Sequence, residues 1–285
     1  MKLLRYFTTN VKEMTINVLL IALLLTTSCS QNQQSETAND APQEEVVEEL
    51  PGHTANFPEE FASALKAHGG FETWQKYKTL EYDLVKKDGG DHQMIDLQDR
   101  RVLLNNDTYK IGFDGNEVWI SPNKEALGRM SARFYHNLYF YFFAIPFVLG
   151  DPGINYEVLE PREMDGKTYD VVKVSFNEGV GDSSGDYYVA HFDQETHKMH
   201  LLLYTVTYFS NESHENYNAI IYDWQEVDGL TIPKTLKGYK YENGELGDLR
   251  YEAEFANVKF SEKAQSDDMF AMPEEAEIDS LVKEQ

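Results

Sequence analysis

The 285-residue chain carries 49 Asp and Glu against 25 Lys and Arg, a formal net charge of −24, and a single cysteine. A surface this acidic repels phosphate backbones and anionic headgroups, which excludes nucleic acid as a partner and membrane attachment through basic residues, and suits a basic protein or divalent cations. One thiol excludes an internal disulfide, so the fold has to be held by its core.

From the N-terminus, Lys2, Arg5 and Lys12 precede the apolar run 16–25 and then Thr26-Thr27-Ser28-Cys29, the layout of an export signal. The small Ser28 before the single thiol resembles the bacterial lipoprotein signal, in which residues 1–28 are removed and Cys29 becomes the acylated first residue. Thr26 stands where leucine is usual, a departure that relaxed forms of the motif tolerate. The alternative is an uncleaved anchor or a plain secretory leader with a chance cysteine. Each buried acyl methylene contributes about 0.8 kcal/mol, so two or three chains hold a protein on a membrane where one does not. The expected address is the bacterial cell envelope, lipid-anchored at the outer membrane, with the face of the membrane left open.

Residues 29–56 contain Glu36, Asp40, Glu44, Glu45, Glu48 and Glu49, no Lys or Arg, and few apolar groups. That composition predicts a disordered tether with a reach of roughly 27–30 Å. A domain is expected over 57–273, followed by an acidic tail, 274–285, that ends in a frayed helix over 274–283.

Within the domain, Phe57, Phe61, Leu65 and His68 share one helical face, and Gly69-Gly70 supplies the stop. A second short helical stretch, 71–77, adds Trp74. Eleven segments then favour strand: 79–87, 100–105, 109–113, 117–121, 156–160, 169–177, 186–192, 199–209, 219–226, 231–241 and 249–260. Turn pairs such as Asp165-Gly166, Asp228-Gly229 and Asn243-Gly244 punctuate them. A meander this long has to curl or close to bury one face, so the expected fold is mainly β with a few helices: a curled antiparallel sheet or half-open β-barrel.

The segment 125–149 breaks the pattern. Its second half, 134–149, is apolar all round and too short to span a bilayer, which marks a buried helix, a plug or a movable lid inside the curl. Phe134, Phe140 and Phe143 on this segment, with Trp74 and Trp119, are candidates to line an apolar ligand site; each is also an ordinary core residue type. His136 and Asn137 would either grip a headgroup at the mouth or cap the buried helix. Residues 179–186 place Asp182 and Asp186 four apart, without the acidic ladder of a calcium loop, and read as a hairpin connection. No nucleophile elbow, zinc-protease motif, phosphate loop or dinucleotide fingerprint occurs, so no catalytic residue, metal ligand or cofactor is assigned.

The helix ending His68-Gly69-Gly70 with Trp74 close behind, the stretch from Asn137 to Leu149, and Val227-Asp228-Gly229-Leu230-Thr231-Ile232-Pro233 together resemble an uncharacterised family of Bacteroidetes lipoproteins, DUF6503-like, over roughly 57–273. More distantly, Phe113-Asp114-Gly115-Asn116-Glu117-Val118-Trp119, the hairpin around Asp193 to Lys198 and the Asp-Gly-Leu-x-Ile-Pro run are similar to features of the periplasmic lipoprotein-carrier superfamily. The resemblance implies a half-open barrel whose helices cover a cavity for acyl chains, hence a lipid or lipoprotein ligand, and implies no catalytic residue. Beside that binding module stand two other readings: a scaffolding lipoprotein with a solid core and an acidic partner surface, and an envelope hydrolase, for which no constellation nominates a nucleophile.

Replacing the thiol tests the anchor directly. A Cys29→Ser chain is expected to lose metabolic labelling with palmitate and to leave the membrane pellet; retained labelling would refute the assignment.

Overall fold

The computed structural model describes residues 57–208 and 216–280; the leader, Cys29, the tether and residues 281–285 lie outside them. Two short helices, α1 (Glu59–Ala67) and α2 (Phe71–Lys76), open the described chain. Five strands follow: β1 (Thr79–Lys86), β2 (Asp91–Asp96), β3 (Val102–Asn105), β4 (Lys110–Phe113) and β5 (Val118–Ser121). The aromatic segment forms α3 (Ala132–Ala144), flanked by single 3-10 turns at Lys124–Leu127 and Phe147–Gly150. The second run comprises β6 (Ile154–Met164), β7 (Lys167–Phe176), β8 (Tyr187–Asp193), β9 (Met199–Tyr204), β10 (Asn218–Val227), β11 (Leu230–Glu242) and β12 (Glu245–Ser261), and β13 (Glu277–Ile278) ends it.

All strands join one antiparallel sheet in the order β13-β5-β4-β3-β2-β1-β12-β11-β10-β9-β8-β7-β6, curled but not closed. Two meanders, β1 to β5 and β6 to β12, meet where β1 pairs with β12. The chain therefore leaves the first meander at one side of the sheet and enters the second at the opposite edge. The connection between β5 and β6, which contains α3, crosses the face between them. Three of the hairpins close through Asp-Gly or Asn-Gly pairs with both residues at positive φ, at 165–166, 228–229 and 243–244, the geometry that matches strand twist.

One face of the sheet carries the main core. Leu80, Tyr82 and Leu84 of β1, Val172 and Val174 of β7, Leu202 of β9 and Phe255 of β12 point to it, and all are buried. Phe143 of α3 stacks on Tyr82 at 5.0 Å and meets Phe255 edge-on at 5.0 Å, which fixes the helix over the β1–β12 seam. The Tyr222 hydroxyl donates to the Phe142 carbonyl at 3.1 Å and satisfies one of the helix's terminal acceptors. On the other face, Val171, Val189, Leu201, Leu203 and Ala219 form a smaller apolar cluster. Arg162 of β6 spans this side to reach the Tyr241 hydroxyl and the Gly244 carbonyl beside the β11–β12 turn.

Helices α1 and α2 are clamped onto the sheet by one histidine. Nδ1–H of His68 donates to the Thr231 carbonyl at 2.9 Å, Nε2 accepts from the Met199 amide at 3.1 Å, and the His68 carbonyl accepts from the Thr231 amide. Gly69 follows at φ +108, and a Cβ there would lie 2.3 Å from the Gly229 carbonyl oxygen, so the chain can approach the β10–β11 turn only as glycine.

Two expectations need correction. Residues 91–96, absent from the predicted strands, form β2; the inward side chains are Asp91, Gln93 and Ile95, so the buried face is largely polar and gives no apolar alternation. The expected tail helix over 274–283 is replaced, within the described part, by β13, where Glu277 and Ile278 pair with Ile120 and Trp119 of β5. Asp279 then accepts from the Ser131 hydroxyl at 2.9 Å and the Arg133 amide at 3.1 Å, so the tail caps the start of α3.

Two measurements probe these contacts. Phe143→Ala is expected to cost about 3–5 kcal/mol in urea unfolding, against under about 0.5 for the exposed Val158→Ala, because only the first opens a cavity. Burial holds His68, His136 and His191 down at about 4, below the unfolded value near 6.5. The unfolded chain therefore binds protons that the folded chain refuses, and stability present above pH 6.5 falls as pH drops toward 4. Each such histidine steepens the slope by up to about 1.4 kcal/mol per pH unit. Unfolding at a series of pH values should show a shallower slope in His68→Asn; an unchanged slope would refute the role assigned to His68.

Candidate functional site

The curl is filled unevenly on the two sides of α3. Toward β1 to β4 the helix meets a closed polar network. Asp91 accepts from the Tyr109 and Tyr135 hydroxyls at 2.8 and 2.7 Å and from the Gln93 amide at 2.7 Å, while Tyr82 donates to Gln93 at 2.6 Å. Lys86 donates to the Tyr135 hydroxyl at 2.6 Å and lies over the rings of Tyr135 and Tyr139. Burial lowers the Lys86 pKa and raises those of Tyr109 and Tyr135, with the Asp91 charge adding to the rise. These groups satisfy one another and anchor the helix.

Toward β7 to β9 a cavity of about 360 Å³ remains. Phe134, Asn137, Leu138 and Tyr141 of α3 line it, at the i, i+3, i+4, i+7 spacing of a single helical face. The sheet side is supplied by Phe176, Tyr188 and Tyr204 of the second meander and by Phe113 of β4, and the segment after α3 by Val148, Leu149 and Ile154. The size and a lining that is apolar over most of its area are those of a small-molecule pocket.

Its polar groups are nearly all engaged. Arg133 forms a two-pronged ion pair with Asp182, at 2.7 and 2.8 Å, which ties the first turn of α3 to the loop between β7 and β8. Asp186 accepts from the Thr205 hydroxyl at 3.1 Å and the Thr207 amide at 2.7 Å, so both carboxylates of the 179–186 loop serve hydrogen bonds within the protein. His136 is buried, its Nδ1–H donates to the Arg133 carbonyl, and burial lowers its pKa to about 4, which keeps it neutral at pH 7.

Arg100 enters the cavity from the turn after β2. Asp96 organises this turn through the Gln98 amide at 2.9 Å and the Arg100 amide at 3.0 Å, and Arg100 is held at φ +66. A left-handed conformation costs a bulky residue about 1–2 kcal/mol. The guanidinium lies 5.3 Å from the centre of the Phe140 ring, and Nη2 donates to Asp151 at 2.7 Å. Two buried polar atoms of the lining have no hydrogen-bond partner among the described residues: Nη1 of Arg100 and Oδ1 of Asn137.

Of the residues singled out in the sequence, the structure brings Phe134, His136 and Asn137 together at the cavity. Trp74, Trp119, Phe140 and Phe143 are not part of its lining. Trp74 stacks on Phe147 at 4.8 Å. Trp119 faces away from the main core, over Gly112, and its indole N–H donates to the Phe270 carbonyl at 3.2 Å. Phe140 and Phe143 are fully buried in the core. Arg100 and Asp151 were not signalled: each reads as a loop charge, and only the tertiary fold turns them inward. Cys29 lies outside the described residues.

No curated protein sequence matches the chain. Among solved structures it is similar to a LolA superfamily protein from Nitrosomonas europaea, at 9% identity over 73% of this chain and 97% of that one, with a TM-score of 0.44. It is similar also to a DUF1329 family protein from Desulfovibrio piger, at 10% identity over 74% and 95%, with a TM-score of 0.44. Residues 100–234, from Arg100 through the whole of α3 to β11, match the family of unknown function DUF6503, the family that the motifs resemble.

Proposed function

We propose that this chain is a lipid-anchored protein of the bacterial envelope that takes one apolar ligand, a lipid or lipoprotein acyl chain, into the cavity between α3 and strands β7 to β9. The observation that carries the reading is the one-sided filling of the curl. An aromatic helix that packs against β1 and β2 leaves, mainly toward β7 to β9, about 360 Å³ whose wall is apolar over most of its area, with charged and polar groups at Arg100, Asn137, Asp151 and the 179–186 loop. Apolar surface moved there from water contributes about 25 cal/mol per Å². A scaffold with a solid core offers no account of that space.

The filled side supports α3 as a fixed element and the cavity side as the adaptable one. Tyr135 and Phe143 hold the helix to β1, β2 and β12. The Arg133–Asp182 pair spans from the helix to a glycine-containing loop and is partly exposed, with side chains 18% and 29% accessible. In this reading that loop is the element that parts from the helix to admit a chain. The anchor proposed at Cys29 restricts the protein to its own membrane, and the outer membrane is the address the leader supports.

Mature protein, residues 29–285 with Cys29→Ser, expressed without its leader and purified without detergent, provides the test. Native mass spectrometry is expected to find a lipid adduct, or the apo protein is expected to bind an acyl-chain fluorophore that fatty acyl compounds displace. Leu138→Trp, which fills the cavity from α3, should lower that binding at least tenfold while the domain stays folded. No adduct together with no saturable fluorophore binding would rule the function out.

A further inference from the structure

The two unpartnered atoms specify the end of the ligand that is not hydrocarbon. Nη1 of Arg100 is a buried donor and Oδ1 of Asn137 a buried acceptor, and both belong to the cavity lining. Asn137 and Phe140 are three residues apart, neighbours on a helix, and the Arg100 guanidinium lies over the Phe140 ring. A buried polar group without a partner is costly, and such a group is retained where something completes it. Arg100 reinforces the point: a residue held at φ +66 would be glycine or asparagine if only the turn mattered, and here a long cationic side chain is directed inward from that position.

The complement of one donor and one acceptor is a group that accepts and donates side by side. An ester carbonyl meets only half of that description, and a hydrocarbon none. A carboxylate meets the donor but opposes the rest of the wall, where Asp151 already occupies Nη2 of Arg100, and Asp182 and Asp186 outnumber the one remaining cation, Arg133. A neutral amide fits every term. Its carbonyl oxygen accepts from Nη1, its N–H donates to Oδ1, and the hydrocarbon runs along Leu138, Tyr141 and Phe176.

We propose that Arg100 and Asn137 form a head-group anchor that selects acyl chains ending in a neutral amide over the corresponding esters and free carboxylates. The inference rests on the apolar cavity being a ligand site and adds to it the class of ligand.

Displacement of an apolar, carbonyl-free fluorophore from the mature chain carrying Cys29→Ser measures the selection, with dodecanamide, methyl dodecanoate and dodecanoate at pH 7.5 as competitors. The amide is expected to compete about tenfold better than the ester, the margin of one buried hydrogen bond, and better than the carboxylate. Asn137→Leu is expected to erase the amide-over-ester margin, read as the ratio of the two affinities in the same chain. Arg100→Met is expected to weaken amide and ester alike by about tenfold relative to the fluorophore, whose saturable binding reports that the cavity is still formed. Equal competition by amide and ester in the unmutated chain would overturn the anchor and leave the apolar site standing. Absence of fluorophore binding would overturn both.

Discussion

Phe143, wedged between Tyr82 and Phe255, is the contact on which the rest of the architecture depends. The two meanders of the sheet join only at β1 and β12, and these aromatic side chains stand on that seam. The connection from β5 to β6 has to travel between opposite sides of an open sheet, and the shortest apolar route lies over the hollow face. A helix on that route needs an anchor on the sheet and apolar atoms on nearly all sides. The sequence of α3 meets both needs, which is why its composition departs so far from the alternating strands around it.

From that anchor follows an asymmetry. Toward the first meander the helix offers hydroxyl groups, and β1, β2 and the turn before β4 answer with Lys86, Asp91, Gln93 and Tyr109, so that side is held by hydrogen bonding as well as packing. Networks of this kind are stable only when every member is satisfied. Toward the second meander the helix offers Phe134, Leu138 and Tyr141, and the strands there curve away far enough to leave space. Among the described residues, the buried side-chain atoms without a hydrogen-bond partner, Nη1 of Arg100 and Oδ1 of Asn137, both line the open side. Space and unmet hydrogen-bonding capacity therefore coincide, which is the physical content of calling the region a site.

The helical cover is held with similar economy. His68 uses both ring nitrogens, one as donor and one as acceptor, so a single neutral imidazole joins α1 to β9 and β11. Protonation would turn the acceptor into a donor facing the Met199 amide. The acidic surface and the neutral buried histidines thus play separate parts, the first governing partners and the second the conditions under which the cover stays closed.

Much of this was legible in one dimension. Period-two patterning located eleven of the thirteen strands, Asp-Gly and Asn-Gly pairs located hairpin turns with both residues at positive φ, and the unbroken aromatic run declared a buried helix, because each depends on forces acting between residues close in the chain. Strand β2 escaped notice because its inward residues are polar and find their partners on β1, β4 and α3. Strand β13 escaped because two residues carry no periodicity. Phe134, His136 and Asn137 could be proposed for the cavity because helical spacing puts neighbours together, whereas Trp74, Trp119, Phe140 and Phe143 could not be told from core by residue type. Arg100 and Asp151 owe their roles to a left-handed turn and to the return of the chain across the hollow. Local propensities thus determined the elements and the need for something apolar inside the curl; only long-range packing decided which side of the helix would be filled and which polar atoms would be left facing the space.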